Sequence, residues 1–392
     1  MVNKVLCRLS LTDSGVGVIH MVRDVIFGRY WRNYILPLLL AVFTACAPVQ
    51  LQQQPQPQES RAVESDVSPT LFRFVFTGDS RGDYKADPPV YLEEELLIQI
   101  TGHILALEPR PEFVIFNGDM VAKTTFNKAP EIVERWRAIF EEPLESNNIK
   151  VYTSPGNHVV YQEKPCAADE ICYVSRFNKY FQPDNPLNGP VGYEGVTYSF
   201  TRENTHFVTV TSFMTHNGPD NTEVPPGMFV QKKNNFEYFI NQANRDWFRE
   251  DLEKDNSEFT IFFTHCPLYP VGPHNEDMKS LHSHPANRDE VVGILAADGV
   301  DAVFVSHEHL YARSNLGPDN PAGSVLKTRL PQIVVGSASA PLDLSPARAD
   351  MTFASYLYAY GFVVADVKKD RIEFRTYNEK AQQIDSFTVT AD

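Results

Sequence analysis

The chain has 392 residues, 43% of them hydrophobic and 22% charged, with a net charge of −15. That length suffices for one large α/β domain with a full core or for two smaller domains, and the acidic balance argues against a broad nucleic-acid-binding surface, which needs a basic footprint. An anionic substrate stays compatible with it, because a bound cation dominates the charge inside its own site. The five cysteines, Cys7, Cys46, Cys166, Cys172 and Cys266, are too few and too irregularly spaced for a zinc ribbon or a disulfide-built fold. Cys166 and Cys172 close a short loop that reads equally as a disulfide formed outside the cytosol or as two free thiols.

Residues 1–46 read as an export segment whose working part is 21–46: Arg23, Arg29 and Arg32, then the apolar run YILPLLLAVFTA, then Cys46. The run is short for a bilayer span, which needs about 20 apolar residues. Thr44-Ala45 before Cys46 resembles a bacterial lipobox, although Phe43 stands where Leu is more usual. That resemblance implies lipid on Cys46, and Ala47 in the next position favours the outer membrane of a two-membraned bacterium. A signal cut elsewhere and an uncleaved anchor are the alternatives, and Met21 reads as an alternative start. Residues 47–70, rich in Gln, Pro and Ser without an apolar period, read as a disordered tether.

Residues 71–392 read as one catalytic domain in which strands and helices alternate. LFRFVFTGD ends at Asp79, EFVIFNGD at Asp119, KVYTSPGNHVV carries Asn157 and His158, FTIFFTH ends at His265, and AVFVSHEH delivers His307 and His309. Each apolar run suits a buried parallel strand and stops at a metal-coordinating residue type. Ligands of open α/β sheets sit beyond the strands' carboxyl ends, so parallel neighbours would gather these side chains on one edge. Helices are expected over 92–107, 129–144, 236–254 and 287–297. An irregular insert is expected from 160 to about 195, a hairpin across residues 203–205, and a loop over 214–235. The β-rich end makes two packed sheets the expectation.

The ordered set GDSRG, NGD, GNH, a lone strand-end His and SHEH resembles the calcineurin-like metallophosphoesterases, which use the order DxH, GDxx, GNH[DE], H and GHxH. The resemblance covers about 72–311 and implies an α/β fold, a four-layer α/β/β/α sandwich of two mixed sheets flanked by helices. It implies two divalent or trivalent metal ions (Mn, Fe or Zn), with Asp119 bridging them. Asn157, His265 and His307 would complete one metal site, Asp79 and His309 the other, and His158 would face the substrate. Two cations about 3.5–4 Å apart can clamp the attacking and leaving oxygens of an in-line displacement. The implied reaction is hydrolysis of a phosphorylated small molecule by a metal-bound hydroxide, most simply a phosphomonoester, with a phosphodiester as the alternative.

Three positions depart from the family pattern. Arg81 stands where the first motif needs a His ligand, leaving the first site to be completed by water or Asp83, or weakly filled. The Arg81 guanidinium is instead suited to the substrate phosphate, or else to a surface salt bridge with Asp83. Ala122 replaces the Tyr of the related purple acid phosphatases, so their Tyr-to-iron colour is not expected. Val159 replaces the acid that orients the GNH histidine. Arg81 and Val159 motivate a second class of reading, a degenerate member that binds phosphorylated ligands or envelope partners without turnover; the intact remainder of the motif set opposes it. His103 and His206 are expected to be hydrogen-bonded core residues, and Cys266 to pack. His274, His282 and His284 read as solvated loop histidines or as lining of the substrate mouth. His216 is as readily cleft-facing as not, and GSASAP, 336–341, is either a mouth-shaping loop or a plain turn.

Overall fold

A computed structural model describes residues 68–122, 130–160, 171–181, 183–216, 223–224, 226–231, 236–272, 274–275, 277–320, 326–327 and 329–391. The export segment with Cys46, nearly all of the tether, and Cys166 with its expected pairing fall outside these residues. Among the described residues no helix is long and apolar enough to cross a membrane.

The first three strands, β1 (Phe72–Thr77), β2 (Phe113–Asn117) and β3 (Lys150–Ser154), lie parallel in one sheet. Their crossovers are α1 (Glu94–Leu105) and a broken helix: α2 (Pro130–Trp136), a π-helical turn (Arg137–Glu141) and α3 (Glu142–Glu145). Antiparallel strands β13 (Gly361–Val367), β14 (Arg371–Asn378) and β15 (Gln383–Thr390) extend this sheet beyond β1. The second sheet holds β4 (Tyr198–Arg202), β5 (Thr205–Thr209), β8 (Phe259–Phe263), β9 (Ala302–Val305), β10 (Tyr311–Leu316), β11 (Leu330–Val335) and β12 (Ser355–Leu357), in the order β12-β10-β11-β9-β8-β5-β4. Within it β5, β8, β9 and β11 run parallel.

The period-2 alternation of side chains explains why two sheets form. Phe72, Phe74 and Phe76 of β1 face the second sheet, where Phe74 meets Phe207 edge-on at 5.0 Å and Phe76 meets Phe304 at 4.8 Å. Val75, on the other face, belongs to the core that includes Leu97, Ile100 and Ile104 of α1. On β8 the same rule divides Ile261 and Phe263, in the inter-sheet core, from Phe262, which meets Phe248 of α6 (Gln242–Lys254). Each fully buried Phe contributes about 1.5–3 kcal/mol. The result is a mixed α/β sandwich of two large mixed sheets with helices on their outer faces.

Three expectations need correction. The metal-type side chains do not sit on one sheet's edge: β1, β2 and β3 belong to one sheet and β8 and β9 to the other, and the carboxyl ends of both converge. The helix expected over 236–254 begins only at Gln242, because Asn241 accepts from the Asn244 N–H as an N-cap. The residues before it form β7 (Phe236–Tyr238), paired with β6 (Phe213–Thr215). After the short α4 (Asn157–Val160), the insert also contains a helix, α5 (Cys172–Phe181). The hairpin across Glu203-Asn204 stands as expected, with Arg202 opposite Thr205.

Candidate active site

The site is a cleft of about 390 Å³ where the two sheets' carboxyl ends meet, lined by Arg81, Asp119, Asn157, His158, His274 and His309 among others. Asp119 follows Gly118, whose φ of +88° lets the chain turn straight off β2. A Cβ on Gly118 would meet His265 Nδ1 at 2.2 Å, and one on Gly156 would meet Asp119 Oδ1 at 2.0 Å, so both glycines make room for ligand-type side chains. Asp79, Asp119 and His307 themselves adopt positive φ, at 55°, 47° and 72°.

On one side of the cleft stand Asp119, Asn157, His265 and His307. His265 donates through Nδ1 to the Asn117 carbonyl at 2.9 Å. Its Nε2 then points into the site, 3.3 Å from Asn157 Oδ1 and 3.7 Å from Asp119 Oδ2. His307 donates through Nε2 to the Lys279 carbonyl at 2.7 Å, leaving Nδ1 for the site. Among the described residues, Asp119, His265 and His307 are the one group of three His, Cys, Asp or Glu side chains whose donor atoms all lie within 4.8 Å of one another. Burial, with the neighbouring His274 and His265, holds His307 well below the usual histidine pKa and therefore neutral. A neutral imidazole with one nitrogen anchored on a carbonyl is how metal-binding histidines are presented. The donor set of two imidazoles, a carboxylate and an amide oxygen fits Zn, Fe or Mn.

On the other side stand Asp79, His309 and Arg81. Asp79 Oδ2 accepts the His307 backbone N–H at 3.0 Å, while its fully buried Oδ1 has no hydrogen-bond partner and lies 3.5 Å from His309 Nε2. His309 donates through Nδ1 to the Pro341 carbonyl at 2.9 Å. Burial raises the Asp79 carboxyl well above its ordinary range, and burial together with the Arg81 charge lowers His309 to about 3. Arg81 Nε lies 3.8 Å from Asp119 Oδ2 and is buried without a hydrogen-bond acceptor. Its ionic partner is therefore Asp119 rather than Asp83, which instead accepts the Lys85 N–H.

His158 sits between these sides and the mouth. Its backbone N–H donates to Asp119 Oδ1 at 2.9 Å, its Nε2 lies 3.9 Å from Asp119 Oδ2, and the Tyr84 ring packs edge-on against it at 5.6 Å. Val159 is fully buried in the core, so no acid orients His158 from that position. His274 lines the mouth, stacked on His307 at 4.3 Å and paired with Asp277 at 3.0 Å. The remaining described histidines lie elsewhere: His103 bonds the Glu379 carbonyl, His206 pairs with Asp251, His282 bonds Arg288, and His216 and His284 share the buried Glu237. Cys266 is buried in the core, as expected.

Sequence reasoning missed the residues that hold these side chains in place. Asn117 donates to the Thr264 carbonyl at 2.8 Å and accepts from Ser154 Oγ at 2.6 Å, joining the ends of β2, β3 and β8. Glu308, buried between the two histidines of SHEH, accepts the backbone N–H groups of Val271, Gly272 and His274 at 2.6, 3.2 and 3.1 Å. The GSASAP loop donates from Ala338 to the Gly78 carbonyl and from Ser339 and Ala340 to the Asp79 carbonyl, besides holding His309. A polar last residue on an apolar strand was the available signal for Asn117; nothing in the sequence singles out Glu308's partners.

A fold of two mixed sheets with acid, amide and imidazole side chains at their joined carboxyl ends defines a metal-dependent phosphoester-hydrolase scaffold. The chain belongs to the calcineurin-like phosphoesterase family, whose model matches residues 72–311. Among solved structures it is similar to a purple acid phosphatase from yellow lupin (Lupinus luteus) seeds, at 17% identity and TM-score 0.58, covering 82% of this chain and 54% of the lupin chain. It is similar to PhoD at 13% identity and TM-score 0.56, covering 83% of this chain and 71% of that one. A dimetal phosphatase from Danio rerio aligns at 14% identity and TM-score 0.54 over 83% of this chain and 100% of its own. The chain thus spans about half the length of the lupin enzyme, and these likenesses concern the fold. No curated protein sequence matches it.

Proposed function

We propose that this chain is a metal-dependent phosphomonoesterase. The observation that carries the reading is the convergence of Asp119, Asn157, His265 and His307 on one point, with His158 beside it at the mouth of the cleft. Those four residues would hold a metal ion; the binuclear expectation adds Asp79 and His309 as ligands on the far side of Asp119. Bound metal supplies Lewis-acid polarisation of the phosphoryl group and acidifies a water molecule. Arg81, at the cleft wall, donates N–H groups to phosphoryl oxygens, a pairing that suits a planar guanidinium. His158 stands at the leaving oxygen and protonates it. His307, held neutral by burial, would offer a cation a lone pair in place of a proton.

The substrate is a phosphorylated small molecule; among the described residues the cleft walls carry Lys85, Lys279 and Tyr84 and no aliphatic side chain, which favours a polar leaving group. Residues 21–46 support export, with the chain held at the envelope of a bacterium by lipid on Cys46. The test pairs metal analysis with hydrolysis of para-nitrophenyl phosphate and its bis-ester after Mn addition. Monoester turnover is the expected result. Preference for the bis-ester would move the reading to a phosphodiesterase, and a metal-loaded but inert protein would move it to a phospholigand-binding role.

A further inference from the structure

Resting on the metal-dependent reading above, we propose that the Arg81 guanidinium takes the place of one cation, so that the chain holds a single metal ion, in the half built by Asp119, Asn157, His265 and His307. Three observations carry this. The first is the aim of Arg81. Its Nε lies 3.8 Å from Asp119 Oδ2, and that nitrogen is buried without any hydrogen-bond acceptor. Nη1 of the same guanidinium bonds the Gly82 carbonyl at 3.5 Å, and the negative group that Nε faces is the carboxylate that two ions would have to share.

The second is the disposition of Asp119's oxygens. Oδ1 is committed to the His158 backbone N–H. Oδ2 lies 3.7 Å from His265 Nε2, 3.8 Å from Arg81 Nε and 3.9 Å from His158 Nε2. An oxygen shared between two ions needs room for two cations; here a fixed cation already stands beside it. A divalent ion entering there would stand against the guanidinium in a buried site, where like charges repel strongly.

The third is the donor count. One half brings together Asp119, Asn157, His265 and His307. The other offers two dedicated side chains, Asp79 and His309, whose facing atoms are 3.5 Å apart, and together with Asp119 they do not converge as closely as the first group does. Counting the shared Asp119 on both halves, that is three donors against four, and Arg81, a donor without a lone pair, stands where a further ligand would be. Fixed positive charge next to the metal also keeps the phosphate-facing wall electropositive while only one ion is bound.

The test is stoichiometry, read without reference to turnover. The full chain is stripped with chelator, titrated with Mn(II), and followed by elemental analysis and electron paramagnetic resonance. One ion per chain with the signal of an isolated Mn(II) is expected. Arg81→Lys, which keeps the charge, should stay at one ion. Arg81→His, which exchanges the charge for a ligand, should rise to two ions and show the signal loss of coupled spins. Two ions in the unaltered protein would overturn the proposal even if the variants fail to fold. One ion in both the unaltered protein and a folded Arg81→His would overturn Arg81 as the excluding group. No bound ion at all would sink the metal-dependent reading as well, whereas one ion with no phosphoester turnover would leave this inference standing and remove the hydrolase reading alone.

Discussion

The two sides of Asp119 are built from similar parts and arrive at different chemistry. Each contains a strand-end acid or amide and a histidine whose far nitrogen is tied to a carbonyl, Lys279 for His307 and Pro341 for His309. On the Asn157 side those parts converge with a second histidine, His265, fixed by Asn117. On the Asp79 side the third partner is Arg81, a cation. The same scaffold therefore presents a completed ligand set on one side and a charge-compensated carboxylate on the other. On the single-ion proposal, residue identity at one loop position, rather than the fold, sets how many cations the site accepts.

The largest way to break this comparison is to remove the residue both sides use. Asp119→Ala should cost roughly a thousandfold or more in turnover, because the cation's contribution is several kcal/mol, and should abolish metal retention; full retention would refute its ligand role. Separating the sides comes next. His265→Ala should strip the metal along with activity, whereas His309→Ala should leave one ion bound, and loss of that ion from the His309 variant would equalise the two sides. His158→Ala should lower turnover by about 10²–10⁴, the usual worth of a general acid, with metal content unchanged. A smaller effect is expected at Asn117→Ala, which keeps the backbone carbonyl that holds His265 but unties the ends of β2, β3 and β8: metal affinity should fall by less than the roughly 10–100-fold that follows loss of a ligand's own partner.

The smallest effect distinguishes the sides by pH in metal-free protein. Burial keeps His307 and His309 neutral, His309 down to about 3 against a histidine's usual 6.5. The unfolded chain binds those protons first, so stability is full above about pH 6.5 and falls on acidification. The slope is up to about 1.4 kcal/mol per pH unit for each histidine. Asp79 is raised by burial and binds its proton in the folded state before the unfolded one does, so it acts with the opposite sign. The Asp79 side should thus be partly self-cancelling and the His307 side not. Urea midpoints of the chelated protein from about pH 4 to 7 should flatten in His307→Asn and in His309→Asn, each losing its own histidine's term, and should steepen in Asp79→Asn, which removes the opposing term; a profile unchanged by Asp79→Asn would contradict the assignment.

Much of this was legible before any coordinates. Apolar runs ending in Asp79, Asp119, Asn157, His265 and His307 marked strands whose ends hold the site, because burial on both faces leaves a continuous apolar signature. That signature does not say which sheet a strand joins, so the convergence of two sheets was hidden. Helical spacing extended wrongly to Phe236 because β7 has only three residues, and periodicity over three residues cannot separate strand from helix. Arg81 was recognised as a substitution in the motif, but its partner depends on a side-chain direction that sequence does not carry. His274 was indistinguishable from a solvated loop histidine because its place on His307 is set by three backbone N–H groups reaching Glu308, a contact across 34 residues or more.

The left-handed backbone at Asp79, Asp119 and His307 has a consequence for anyone who would improve this protein. Each of these side chains is displayed from a conformation that costs an L-residue about 1–2 kcal/mol and costs glycine little. Thermostability screens that score melting alone would find glycine attractive at these turns. A library enriched for heat resistance without a turnover assay would drift toward a sturdier chain that has given up the acids and the imidazole its strands exist to hold out.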